Sequence, residues 1–308
     1  MFAVDKTNPW IAAARDAPRQ FPAWAVLVAA VACADLAVRI HSLPVPGLDA
    51  LSAAVAPEGP WQTAFNDLGG YFGIYTPLLL APMVGLTLEG RGAWRSGSRP
   101  RFWLGAGLVL GAAGIALSLA IAYLGGAVVR GSAPAPGLAL WGPLALNTAA
   151  ILLGVGVEEL YFRSWLQPRL AARWGPWAGL IVASIFFAAL HVMVSTRSPM
   201  AVLNTFLAGM LFGLLALRTG GLIAPCAAHF AWNWCETNLF GCDSNPGSGL
   251  FGAFFDLDLR GPPLWSGGGD TMNGSLATTL VLGAMILGLS FLGRDSFKWK
   301  PVEAPVTP

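Results

Sequence analysis

Charge is scarce in this chain. Of its 308 residues only 11% are Asp, Glu, Lys or Arg, while 55% are hydrophobic. A soluble domain carries roughly one quarter charged residues, so a surface that faces mostly water is excluded. The net charge is only +2, and no basic-aromatic stripe or nucleic-acid motif is present, so no nucleic acid is expected as a partner. The four cysteines, Cys33, Cys226, Cys235 and Cys242, form no CxxC pair, which argues against a metal knuckle. Three of them sit in apolar runs and read as small core residues; Cys242 lies in a loop. HExxH is missing as well. The opening stretch MFAVDKTNPWIAAARDAPRQ is polar and broken by prolines. It lacks a basic segment leading directly into an apolar one, so no cleavable signal peptide is predicted and the first apolar run should stay as an anchor.

What the chain does have is long apolar runs. A hydrocarbon core about 30 Å thick takes roughly 20 apolar residues as helix. Eight segments come near that length: 22–42, 68–89, 102–124, 141–163, 176–195, 200–218, 221–240 and 275–293, the fourth continuing as helix to about residue 171. The expected fold is therefore all-α, a polytopic transmembrane bundle of about eight spanning helices. The connections alternate in charge. Residues 90–101 hold Arg91, Arg95, Arg99 and Arg101, residues 164–175 hold Arg169 and Arg173, and the C-terminal tail holds Arg294, Lys298 and Lys300. Loops 43–67, 125–140 and 241–274 are poor in basic residues; the last carries Asp243, Asp256, Asp258 and Asp270, with Phe251, Phe254, Phe255 and Trp265. It reads as an ordered cap or an interfacial loop. The positive-inside rule then places both termini in the cytoplasm. The GxxxG of Gly209 and Gly213 lets two helices approach closely.

Polar residues inside apolar spans are costly and therefore informative. The first cluster is Glu158-Glu159-Leu160-Tyr161-Phe162-Arg163. Arg163 lies four residues after Glu159 and shares its helix face, so this pair should neutralise one carboxylate. Glu158 points about 100° away and has no such local partner, which suits a general base. The bland reading is an ion pair at a helix end near water. The second cluster is Phe187-Ala188-Ala189-Leu190-His191, and the third His229-Phe230-Ala231-Trp232-Asn233. His229 and Asn233 are one turn apart and aim their polar tips at one place, where an imidazole and a carboxamide can hold an anion, a water or a metal. Interhelical hydrogen bonding is the bland reading there. Two of the three histidines thus lie within apolar spans. Antiparallel helices of equal rise put Glu158, about 16 residues before the Trp174-Gly175 turn, level with His191, about 17 after it. If both helices run unbroken to the turn, these two should face each other and His229–Asn233 should close the site.

EExxxR, then FxxxH, then HxxxN, each on its own span, resembles the CPBP family of intramembrane proteases. That family includes type II CAAX prenyl endopeptidases and bacteriocin-processing or abortive-infection proteins. Thr219-Gly220-Gly221-Leu222-Ile223 before the second histidine, Asn233-Trp234 after it, and the Trp265-Ser266-Gly267-Gly268-Gly269 loop are similar too. The resemblance covers about residues 140–293. It divides the chain into a polar tail (1–21), N-terminal transmembrane helices (22–140), a protease core (141–293) and a second polar tail (294–308). It implies peptide-bond hydrolysis within the membrane. Glu158 would activate water with His191, His229 and Asn233 would stabilise the oxyanion, and Glu159, Arg163 and Phe187 would support the geometry. Zinc on Glu158, His191 and His229 is compatible with these donor types, whereas a glutamate mechanism requires no metal. The implied partners are the bilayer and a membrane peptide or protein substrate, prenylated in the CAAX case. The localisation is a multi-pass membrane protein, of the inner membrane if the source is bacterial. Other readings use the same polar residues: a proton- or ion-coupled transporter, for which broken helices and inverted repeats would speak, a haem protein ligated by His191 and His229, or a non-catalytic membrane scaffold.

Overall fold

The computed structural model describes residues 8–41, 50, 54, 60–90, 94–131, 141–194, 198–242 and 253–291. Arg91, Asp243, Phe251 and the C-terminal tail with Arg294, Lys298 and Lys300 lie outside the described residues. The elements follow in order as α1 (Pro9–Arg15), α2 (Ala23–His41), α3 (Pro60–Leu88), α4 (Pro100–Leu124), β1 (Val128–Arg130) and α5 (Trp141–Glu159). After α5 the helix widens into a π-helical segment, Leu160–Leu166, and continues as α6 (Gln167–Trp174). Then come α7 (Pro176–Val194), α8 (Pro199–Thr219) and α9 (Ile223–Trp234), the last extended by a π-helical turn, Cys235–Leu239. Finally β2 (Leu257–Leu259), α10 (Pro263–Ser266), a 3-10 segment (Gly268–Gly274) and α11 (Leu276–Phe291) complete the described chain.

Among the described residues, seven helical stretches are long and apolar enough to cross a bilayer. The protein is an integral, multi-pass helical bundle. Seven of the eight expected spans are matched by these stretches, and Leu144–Trp174 runs as one of them. The remaining expected span, 221–240, is helical but shorter: the 12 residues of α9 and the five that follow. The N-terminal segment expected as a polar tail contains α1, whose Trp10, Ile11 and Ala14 are buried against the bundle. His41, the third histidine, is the last residue of α2.

Local chemistry sets the helix ends. Gly175 adopts φ 91°, a backbone state open to glycine but strained for other residues. Pro176 then opens α7 at the first helical position, where a missing N–H costs nothing. Ser198 caps α8 by accepting from the Ala201 amide, and Gly220 ends that helix at φ 65°. Hydrogen bonds between the described parts of the loops tie the helices together. At one end Ser98 donates to the Thr219 carbonyl and Leu222 to that of Arg95; Asn8 and Gln20 bond Leu217 and Arg173 there. At the other end β1 pairs antiparallel with β2, joining loops 125–140 and 241–274. The long loop is thus partly ordered into a small cap.

Two apolar cores form inside the bundle. One gathers α2, α3, the π-helical segment and α7 around Leu78, Tyr161, Phe162 and Phe187. The other gathers α4, α8, α9 and α11 around Ile115, Phe212, Ala228 and Val281. The buried charge cluster described below is not part of either; it lies at their seam, between Phe187 of one and Phe212 of the other. In the second core α4 and α9 meet through glycines. A Cβ on Gly107 would stand 2.7 Å from that of Ala227, one on Gly111 2.1 Å from the Ala228 carbonyl oxygen, and one on Gly114 2.6 Å from the Trp232 ring. Such contacts let backbones pack by dispersion where lipid offers no hydrophobic drive. Gly111→Val should therefore destabilise the protein by about 1–3 kcal/mol in detergent unfolding. Gly105→Ala, on an open face of the same helix, should leave stability unchanged.

Candidate functional site: a buried carboxylate, arginine and histidine cluster

Four ionisable side chains from α5, the π-helical segment and α9 meet at the seam. Glu159 is fully buried and Arg163 nearly so, at 0% and 2% exposed. Arg163 Nη1 donates to Glu159 Oε1 at 2.9 Å, as the four-residue spacing predicts. His229 Nδ1 donates to the same oxygen at 2.9 Å. Arg163 Nη2 also donates to the Gly209 carbonyl at 3.2 Å. Its guanidinium carbon lies 4.5 Å from the centre of the Phe187 ring, 5.5 Å from that of Phe212 and 5.6 Å from that of Phe162. A cation surrounded by ring faces gains electrostatic attraction that water would otherwise supply. The glycine pair on α8 makes this approach feasible. A Cβ on Gly209 would press on Ser184 at 3.1 Å, and one on Gly213 would lie 2.7 Å from Gln167 Oε1. Gln167 Nε2 in turn donates to the Gly213 carbonyl at 3.0 Å.

Glu158 turns away from this pair, as its 100° offset requires. Tyr75 of α3 donates its hydroxyl to Glu158 Oε1 at 3.0 Å. Oε2 is buried without a hydrogen-bond partner and lies 3.9 Å from His229 Nε2. The two nitrogens of His229 thus face the two adjacent carboxylates, Nδ1 toward Glu159 and Nε2 toward Glu158. Phe212 stacks on the imidazole, with ring centres 4.5 Å apart at 18°.

His191 lies on α7 and makes no ion pair within 4.0 Å with Glu158 among the described residues. Between Glu158 and the Trp174-Gly175 turn the helix includes the π-helical segment Leu160–Leu166. It is this segment and α6 that pack on α7, while α5 packs on α3 and α9. His191 remains close to the cluster through Phe187. Its ring lies 4.5 Å from that of Phe187, which lies 6.0 Å from that of His229. His191 Nδ1 donates to the Phe187 carbonyl at 2.8 Å, which fixes the tautomer and leaves Nε2 as the working nitrogen. Asn233, one turn beyond His229 on α9, is half-buried.

The donor set does not fit a metal ion as placed. Among the described residues no three His, Cys, Asp or Glu side chains gather to hold one. His229 Nδ1 is bonded to Glu159 and His191 Nδ1 to a backbone carbonyl, so only their Nε2 atoms would be open to a ligand.

Sequence reasoning overlooked two members of the cluster. Phe212 carries no polar tip, and only its position three residues after Gly209 on the close-packed helix marks it. Tyr75 offered one signal, a phenol inside an apolar run. Removing the counter-charge tests the electrostatics directly. Arg163→Met should cost about 3–5 kcal/mol, because it leaves Glu159 buried beside a partner too few. Adding Glu159→Gln should recover part of that loss in a double-mutant cycle followed by unfolding in detergent.

Residues 140–235 match a family described as Type II CAAX prenyl endopeptidase Rce1-like. No curated protein and no solved structure matches the chain. The matched segment spans Glu158, Glu159, Arg163, Phe187, His191, His229 and Asn233, and in this segment the chain is similar to that family.

Proposed function

We propose that this protein is an intramembrane endopeptidase of the CAAX type, with Glu158 as its general base. The observation that carries the reading is Glu158 itself: one carboxylate oxygen held by Tyr75, the other buried, unpartnered and 3.9 Å from an imidazole nitrogen. Glu159 also keeps one buried oxygen without a partner, but Arg163 and His229 Nδ1 both bind its other oxygen, whereas Glu158 has no such pairing and turns its free oxygen toward the imidazole Nε2.

In this reading the scissile peptide of a membrane-associated substrate, prenylated or not, enters at the seam of the two cores. Glu158 Oε2 takes a proton from water as the water oxygen attacks the peptide carbonyl carbon. Nε2 of His191, freed by the tautomer that the Phe187 carbonyl imposes, orients that water. The carbonyl π electrons move to oxygen, and the oxyanion receives hydrogen bonds from protonated His229 Nε2 and the Asn233 amide. Glu159 holds the His229 ring in place through Nδ1 as the oxyanion develops. Protonated Glu158 then gives its proton to the leaving amine as the C–N bond breaks, which restores the base. No step runs through a metal. A scaffold or a proton-coupled transporter would use the same polar residues but would release no cleaved peptide.

A cleavage assay on prenylated and unprenylated membrane peptides tests this. Glu158→Gln, His191→Ala and His229→Ala should each lower kcat at least about 100-fold, and chelator should leave the wild type unaffected. Undiminished cleavage by Glu158→Gln would remove the base assignment. Inhibition by chelator with rescue by zinc would replace the metal-free mechanism.

A further inference from the structure

We infer that Tyr75 is a positioning residue for the reaction, aiming the base from a helix outside the segment that carries the family motifs; the inference rests on the proposed role of Glu158. Tyr75 sits in the middle of α3, 83 residues before Glu158, and the matched segment begins only at residue 140. Its hydroxyl donates to Glu158 Oε1 at 3.0 Å. Two neighbours fix the ring. Tyr71 stacks on it at 5.4 Å with an interplanar angle of 11°. Gly154, one turn before Glu158 on α5, leaves space for it: a Cβ there would stand 2.7 Å from the Tyr75 hydroxyl oxygen. The phenol is therefore held at one point beside the carboxylate.

The consequence is geometric. A carboxylate swivels about its last side-chain bond, and its terminal torsion is broad and roughly twofold. A hydrogen bond to Oε1 stops the swivel and leaves Oε2 as the oxygen that faces His229 Nε2. Arg163 and His229 Nδ1 already converge on Glu159, so among the described residues of the motif segment none hydrogen-bonds Glu158 Oε1 in this way. Rate depends steeply on such placement, because a shift of about 1 Å in a reacting group costs up to 100-fold. The N-terminal helices then do more than wall the bundle; one of them sets the orientation of the base.

Steady-state cleavage by full-length Tyr75→Phe in detergent micelles tests this against Glu158→Gln and Tyr123→Phe. Tyr123 is exposed on α4, with 66% of its surface free, and its variant controls for a tyrosine-to-phenylalanine change as such. Tyr75→Phe keeps the ring and its stacking on Tyr71 but loses the donor. It should lower kcat about tenfold while KM stays within about twofold, with Tyr123→Phe matching the wild type. Gly154→Ala, which displaces the hydroxyl without removing it, should lower kcat in the same direction. A wild-type kcat in Tyr75→Phe, or a loss confined to KM or to the melting temperature, overturns the inference. Inactive Glu158→Gln beside fully active Tyr75→Phe would defeat this inference alone, whereas active Glu158→Gln would defeat the base assignment beneath it.

Discussion

Burying two adjacent carboxylates in an apolar bundle is the constraint on which the rest of the structure depends. The attraction between ions in a low-dielectric interior offsets their desolvation only when the geometry is close and the remaining donors are satisfied. Here Glu159 receives both Arg163 and His229 on one oxygen, and Arg163 spends its other amino group on the Gly209 carbonyl. Three aromatic rings close around the guanidinium. Each partner comes from a different element, so α5, the π-helical segment, α8 and α9 are all held at fixed distances. The glycines of α8 are needed because the guanidinium must reach a backbone oxygen.

Glu159 is thereby tied to two partners, and in the proposed mechanism Glu158 carries the chemistry. The same helix presents the two carboxylates about 100° apart. Glu158 faces Tyr75 of α3, while Glu159 faces Arg163 and His229. His229 is the hinge of the arrangement, because its two nitrogens address both. The other ionic contact in the interior, a bidentate pair between Arg169 and Glu89 at 2.6 and 2.7 Å, joins α6 to the end of α3. It braces the helix that carries Tyr75 against the chain that carries Glu158. The two apolar cores thus meet along a polar seam, and the site occupies that seam.

Much of this was legible in the sequence because the membrane simplifies the code. Runs of apolar residues marked the spans, and the loop read as an ordered cap does contain β2, paired with β1. The Glu159–Arg163 contact followed from helical spacing, and the close packing of Gly209 and Gly213 from the absence of side chains. The Tyr75 partner of Glu158 was not legible. Nor was the π-helical segment, which carries no sequence signature strong enough to predict and alters rise and rotation together. The shortness of α9 was not foreseen either: the expected span ran on to residue 240, although Glu236, Thr237 and Asn238 follow Trp234 and the helix widens there. Burial of α1 depends on Trp10 and Ile11 within an otherwise polar stretch. Tyr75 depends on tertiary packing between helices 83 residues apart, which spacing within one helix cannot reveal.

The central claim is a division of labour between neighbours: Glu159 holds the fold and Glu158 is free to react. Comparing the unfolding free energies of Glu158→Gln and Glu159→Gln in detergent micelles, with turnover recorded on the same samples, tests it most directly. The account predicts that Glu158→Gln unfolds at the wild-type free energy or above it and does not cleave, whereas Glu159→Gln loses about 2 kcal/mol or more. Equal losses in the two variants, or cleavage by Glu158→Gln, would contradict it.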